Sequence, residues 1–183
     1  MIGHELVHGI TQCEANLEYR GQSGALNESF SDVFGSLVKQ FKRRQTVQEA
    51  DWLIGVGLFM PGIRARGIRS LQEPGTAYDD PLLGRDPQPG HMRDYVRTLE
   101  DNGGVHINSG IPNRAFYQLA VRLRGFSWEK AGWIWYRALC DKLRTGSTFV
   151  DAMNLTVRAA GEIFGVNSRE QKATSEAWSE VGL

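Results

Sequence analysis

Met1-Ile-Gly-His4-Glu5-Leu-Val-His8-Gly9 opens the chain and decides how the rest is read. It contains the pattern His-Glu-x-x-His. Side chains four positions apart share one face of a helix. His4 and His8 can therefore grip one metal ion, and Glu5 between them can reach a water on that metal. The pattern predicts a helix over about 1–16, with Leu6, Ile10 and Cys13 as its apolar stripe. Nothing ahead of it caps the first N–H groups, so residues 1–8 are expected to fray.

A catalytic zinc takes three protein ligands and keeps one position open. His4 and His8 supply two. The next segment, Ser23-Gly-Ala-Leu-Asn27-Glu28-Ser-Phe-Ser-Asp32, offers the third. It opens a predicted helix over about 24–44, with Ser23 as N-cap. Leu26, Phe30, Val33, Phe34, Leu37 and Phe41 form the apolar face of that helix. Lys39, Lys42, Arg43 and Arg44 crowd its end, which suits the negative end of a helix dipole. Glu28 and Asp32 are four apart and point the same way. One can bind the metal while the other accepts the second ring N–H of a ligand histidine, and Asn27 can do the same for the other histidine. Taken alone, the two carboxylates read better as the exposed acidic face of an amphipathic helix, and a bare His-Glu-x-x-His also arises by chance. The two blocks together are far more specific.

Beyond about residue 55 the periodicity disappears until about 110. This stretch holds all of the six prolines except Pro112, and many glycines. Long ordered loops with short helical turns, and a small hairpin, are expected there; loops of this length usually serve function. Helical spacing returns after Pro112 with Phe116, Leu119, Ala120 and Leu123, and Gly125 ends it. Ser127 is placed at the start of the next helix, with Ala131, Ile134, Trp135 and Ala138 inward. Thr148 and Asp151 form a capping box for a helix carrying Ala152, Leu155, Ala159 and Ile163, closed by Gly165. Ser168 and Gln171 repeat the device ahead of Thr174, Ala177, Trp178 and Val181. The fold class is therefore mainly α, a helical bundle with a long ordered loop region over about 55–110.

The 183 residues amount to one domain, with 41% hydrophobic and 23% charged residues. Lysine plus arginine balance aspartate plus glutamate at 21 each. That balance excludes broad electrostatic binding to nucleic acid or an anionic membrane surface, and no apolar run is long enough to span a bilayer. Two cysteines, Cys13 and Cys140, are too few for a disulfide scaffold and are expected free and buried.

His4-Glu5-Leu-Val-His8, Gly24-Ala-Leu-Asn27-Glu28-Ser-Phe-Ser-Asp32 and Glu100-Asp101-Asn-Gly-Gly-Val-His106-Ile-Asn-Ser-Gly110 together resemble the thermolysin family of zinc metallopeptidases. The order and spacing of the blocks agree, and the likeness extends through the C-terminal helices. Asp86-Pro-Gln-Pro-Gly-His91-Met is similar to the protealysin-like branch. The resemblance implies one catalytic zinc on His4, His8 and Glu28, with Asp32 and Asn27 orienting the histidines. It makes Glu5 the general base and later the proton donor to the leaving amine. His106 and Tyr19 would stabilise the developing oxyanion, and Asp101 would hold His106. Arg69 would bind the substrate backbone. Ile54, Leu58 and Ile68 would line a pocket for the residue after the scissile bond, so cleavage is expected before bulky apolar residues. Without the family, His106 and Tyr19 read as an ordinary loop histidine and an ordinary aromatic. His91 reads as either a cleft residue or a loop-ordering one.

Two departures from the family follow. Where thermolysin holds calcium, this chain has Lys39, Leu53, Val56 and Arg66, with only Asp51 kept. A hard cation needs several oxygen ligands, so no calcium is expected in this half. The family's β-rich N-terminal domain, which supplies one wall of the cleft and an edge strand for the substrate, has no counterpart in the sequence. Residues 1–183 are thus read as a C-terminal helical domain, a fragment whose docking face would be exposed or covered by a second copy. The implied partner is a peptide or protein substrate, and the implied parent is secreted. Two functions compete: a zinc endopeptidase impaired as a fragment, or a non-catalytic helical module that binds zinc or a partner.

Overall fold

The computed structural model describes residues 1–183. Its helices are α1 (Ile2–Glu14), α2 (Gly21–Arg43), α3 (Asp101–Asn108), α4 (Gly110–Leu123), α5 (Lys130–Asp141), α6 (Phe149–Phe164) and α7 (Arg169–Ser179). Four two-residue strands lie between α2 and α3: β1 (Leu53–Ile54), β2 (Arg69–Ser70), β3 (Asp79–Asp80) and β4 (Gly84–Arg85). β1 pairs antiparallel with β2, Leu53 opposite Ser70 and Ile54 opposite Arg69, and β3 pairs antiparallel with β4. No helix is long and apolar enough to cross a membrane.

The bundle is built around α2, which packs against α1, α3, α4, α5 and α6. Leu26, Phe30, Val33 and Leu37 bury the side predicted from their spacing, whereas Phe41 at the helix end is exposed. The other side of α2 is polar but equally buried, through Asn27, Glu28, Ser31 and Asp32. α1 covers that polar side. Gly35 lets the two helices approach, since a Cβ there would sit 3.2 Å from the His4 backbone nitrogen. The core continues into α4–α7 through large aromatics. Trp135 stacks on Trp178 with ring centroids 5.8 Å apart, and Phe116 meets Trp135 edge-on. The buried indole N–H groups keep partners: Trp178 Nε1 donates to Thr156 Oγ1 and Trp52 Nε1 to the Val47 carbonyl.

Several local expectations change. α1 buries His4, Val7 and Thr11, not Leu6, Ile10 and Cys13, which are exposed. Both sets fit helical spacing, and the histidine face wins because its partners lie on α2. Leu6 is thus left exposed, and Ile10 joins Phe34, Val38, Phe41 and Trp133 in lining a groove between α1, α2 and α5. α2 begins at Gly21, so Ser23 lies inside its first turn and donates to the Glu18 and Arg20 carbonyls instead of capping. α5 begins at Lys130; Ser127 is buried and donates to Gln40 Oε1 on α2 at 2.6 Å. The long loop region ends near 100, because residues 101–108 form α3. Both cysteines are free as expected, but Cys13 is exposed and Cys140 only half-buried.

Other expectations match. Thr148 and Asp151 form a full capping box on α6, and Gly165 ends that helix at φ 101°. Ser168 Oγ accepts from the Gln171 N–H. The Gln171 side chain, however, accepts from Asn167 N rather than from the cap residue itself.

Candidate active site

Where α1 crosses α2, three side chains that bind metals converge. His4 Nε2 lies 3.0 Å from His8 Nε2. Glu28 Oε2 is 3.5 Å from His4 Nε2, and Glu28 Oε1 is 3.4 Å from His8 Nε2. His4 and Glu28 are buried and His8 is half-buried. Four-coordinate zinc with ligand bonds near 2.0–2.2 Å needs ligand atoms roughly 3.3 Å apart. The three separations suit that requirement.

The outer atoms of the two histidines fix what the inner ones can do. His8 Nδ1 donates to Asn27 Oδ1 at 2.8 Å, with Ser31 Oγ 3.2 Å away. His4 Nδ1 lies 2.9 Å from Asp32 Oδ1, though off the line of a well-formed hydrogen bond. With the protons on Nδ1, both Nε2 lone pairs face the same small space. Two lone pairs 3.0 Å apart repel unless a cation separates them. Glu28 Oε2 is also buried with no hydrogen-bond partner. A divalent cation would satisfy all three atoms at once, so the donor set fits zinc.

Asp32 is the hub behind His4. Fully buried, it accepts from Arg69 Nε at 2.7 Å, Arg69 Nη2 at 2.8 Å and Asn113 Nδ2 at 2.9 Å. Burial alone would raise its carboxyl. The Arg69 charge and the contacts with His4 and Arg69 outweigh that, and hold it at about 2. Arg69, on β2, is itself buried, with Nη2 3.8 Å from Glu28 Oε2. The guanidinium expected to bind substrate therefore also braces the His4–His8–Glu28 cluster from behind.

The opposite side of the cluster carries Tyr19 and His106. The Tyr19 hydroxyl donates to Glu28 Oε1 and lies 3.2 Å from His106 Nε2. Burial, followed by the Glu28 hydrogen bond and charge, pushes the phenol up, so it stays protonated as a donor. Asp101 holds His106 twice: Oδ1 lies 2.6 Å from the ring Nδ1, and Oδ2 accepts the His106 backbone N–H at 2.8 Å. A run of left-handed residues makes this reach possible, from Asp101 (φ 51°) and Asn102 (φ 50°) to Gly103 (φ 84°) and Gly104 (φ 78°). A Cβ on Gly104 would come within 2.7 Å of Asn108 Nδ2, so the turn needs glycine there. Glu5 is exposed and shares a shallow cleft with His8, Tyr19 and Asn27. Ile54 and Leu58 line a second cleft, which also reaches His4. Ile68 packs against the same corner at Gly55.

His91 sits apart. Its Nδ1 accepts from the Arg93 N–H and its ring packs on Gly182, which orders a 3-10 turn at Met92–Asp94. Lys39 occupies the oxygens at the calcium-like position, donating to Asp51 and to the Leu53 carbonyl. Two contributors escaped the sequence. Gln88 Nε2 donates to the His106 carbonyl at 2.6 Å and to Ser109 Oγ at 3.0 Å. Asn113 reaches Asp32 across 81 positions of sequence. The available signal for Asn113 was a polar residue amid the apolar face of α4, since a buried amide needs a partner.

The profile described as the α-helical domain of thermolysin metallopeptidase matches residues 15–183. This chain belongs to the thermolysin family of metallopeptidases. Among its relatives in that family, an extracellular metalloprotease of Pectobacterium carotovorum subsp. carotovorum is 56% identical over 184 residues. That match takes in 100% of this chain, His-Glu-x-x-His included, and 52% of the relative. Protease PrtS of Photorhabdus sp. (strain Az29) is 54% identical across 100% of this chain and 50% of its own length. The structure of the precursor of protealysin, a metalloproteinase from Serratia proteamaculans, superposes with a TM-score of 0.96 at 58% identity. It covers 99% of this chain and 56% of that one. The thermolysin-family chain described here thus spans about half the length of the relatives it matches.

Proposed function

We propose that residues 1–183 carry the chemical centre of a zinc metalloendopeptidase. The observation that supports this most is the inward-facing Nε2 pair of His4 and His8 beside the unpartnered Glu28 oxygen. Zinc held by these three would supply Lewis-acid activation of water. Glu5, in the adjoining cleft, would take the proton from that water and pass it to the leaving amine. Tyr19 and His106 would donate to the carbonyl oxygen as it gains charge, with Asp101 keeping the His106 ring aimed. Asn27 and Asp32 fix the ring tautomers of His8 and His4.

Arg69 would hold the peptide backbone near the cut. Ile54, Leu58 and Ile68 would receive a bulky apolar side chain after it. With Lys39 already on the Asp51 and Leu53 oxygens, this half needs no calcium. The wall of the cleft opposite α1 would come from a further β-rich domain in a secreted parent. Without that wall, turnover by these residues alone would be weak. The protein would act on peptide or protein substrates, not on nucleic acid or membranes.

The rival reading is a helical module that binds zinc or a partner without turnover; the intact Glu5, Tyr19 and His106 set weighs against it. A quenched peptide with an apolar residue after the cleavage site decides between them. Cleavage by the zinc-loaded chain and none by Glu5→Ala supports the peptidase. Stoichiometric zinc with no cleavage by either supports the module.

A further inference from the structure

We infer that Asn113 is a positioning residue for the metal centre, acting through Asp32 on His4. The inference rests on the zinc reading above. Asn113 sits in the first turns of α4 and is fully buried. Its Nδ2 donates to Asp32 Oδ2 at 2.9 Å, while its Oδ1 is buried without a partner. A buried amide with one half unsatisfied carries a desolvation cost, so its place in the core is not explained by packing alone. The compensation lies in what the donated hydrogen bond does.

Asp32 has two oxygens, and each must serve a different neighbour. Oδ1 faces His4 Nδ1 and Arg69 Nη2; Oδ2 faces Arg69 Nε and Asn113 Nδ2. Arg69 grips both oxygens in one plane but allows the carboxylate to rock about that fork. A donor on Oδ2 from a different direction, carried by a different helix, removes this freedom. It fixes Oδ1 against His4 Nδ1, and with it the direction of the His4 Nε2 lone pair. Such outer contacts alter metal affinity by about 10- to 100-fold when they touch a ligand directly. One step further out, about tenfold is expected.

The test is zinc affinity of the metal-free chain, measured by competition with a chromophoric chelator, together with the metal-free melting temperature. Asn113→Leu has nearly the same shape and cannot donate; its zinc Kd should rise about tenfold. Asn113→Ala removes the donor by truncation and should raise Kd by a similar factor. It is the second probe should the leucine variant fail to fold. Ile111→Val, buried in the same helix turn and unable to hydrogen-bond to Asp32, is the control for stability loss. It should lower the melting temperature and leave Kd within about twofold. Wild-type affinity in a folded Asn113→Leu or Asn113→Ala chain would overturn the inference. So would an equal loss in Ile111→Val, which would make the effect one of general stability. Wild type that binds no zinc would overturn both this inference and the peptidase reading, whereas wild-type binding with unchanged variants overturns only this one.

Discussion

Asp101 and His106 are held together by two contacts from one carboxylate, one to the ring and one to the backbone. Asp101→Asn keeps the shape but weakens the ring contact, because the neutral amide no longer supports a proton on Nδ1. Turnover should fall about 10- to 100-fold while zinc stoichiometry stays at the wild-type value, less than the roughly 10²–10³-fold cost of losing an oxyanion donor outright, because His106 is still present. Loss of zinc in this variant would place Asp101 in the metal site instead. Asp32 makes a prediction in pH. Its carboxyl stands at about 2, below the ordinary 3.8. A folded value below the unfolded one contributes stability that is present above about pH 4 and is lost as pH falls through about 2. The difference corresponds to about 2 kcal/mol. Urea melts of the metal-free chain should show that loss on the acid limb. They must be metal-free, because protons also compete for the zinc ligands. Stability unchanged from about pH 4 to about pH 2 would contradict the charged Asp32–Arg69 pair.

Among the elements, α6 offers the cleanest local test. Thr148→Ala removes the capping box and should cost about 1 kcal/mol, lowering Tm by roughly 2–4 °C for a chain of this size. At the junction of α2 with α3, Gly24 leaves room for Tyr19 and Val105. A Cβ there would lie 2.5 Å from Val105 Cγ1 and 2.9 Å from the Tyr19 carbonyl carbon. Gly24→Ala should therefore destabilise by about 1–3 kcal/mol. It should also reduce turnover more than zinc affinity, since Val105 adjoins His106. A thermal melt and a chelator competition on the same sample check both. These elements also show what could be read in advance. α6 and α7 were legible from their caps, because a Ser or Thr three residues before Asp or Gln has one local use. The ligand face of α1 and α2 was legible because metal binding dictates spacing. α3 was not, because four left-handed residues, two of them glycines, erase helical propensity while the tertiary site imposes the turn. Ser127 and Ser23 read as caps but bond elsewhere, since a hydroxyl near a helix start fits both uses. The inward side of α1 was misjudged for a related reason: two stripes fit the period, and only the partner helix selects between them. Asn113 and Gln88 serve the site from other elements, and no local pattern links residues so far apart.

For the whole molecule, the proposed metal centre would act as a tie between helices. α1 meets α2 through His4, Val7 and Thr11, and leaves Ile2, Leu6 and Ile10 exposed. Part of its attachment would therefore run through the proposed ligands His4 and His8, which a bound cation would draw to Glu28. Binding to the folded state alone adds about 4 kcal/mol at a thousandfold excess over Kd. Chelation should lower Tm by roughly 10 °C. It should expose the amides of α1 to hydrogen exchange before those of α6 and α7, whose packing rests on Trp135, Trp178 and Phe149. Uniform loss of protection across all helices would mean that the site is not a separate tie.

The most direct measurement is a zinc titration of the metal-free chain beside Glu28→Gln and Glu5→Gln. One tightly bound zinc is predicted for wild type and for Glu5→Gln, with affinity lost in Glu28→Gln, because Glu28 is the proposed third ligand and Glu5 is proposed to act only on the attacking water. Undiminished zinc binding in Glu28→Gln, or none in wild type, would contradict the metal centre proposed at the crossing of α1 and α2.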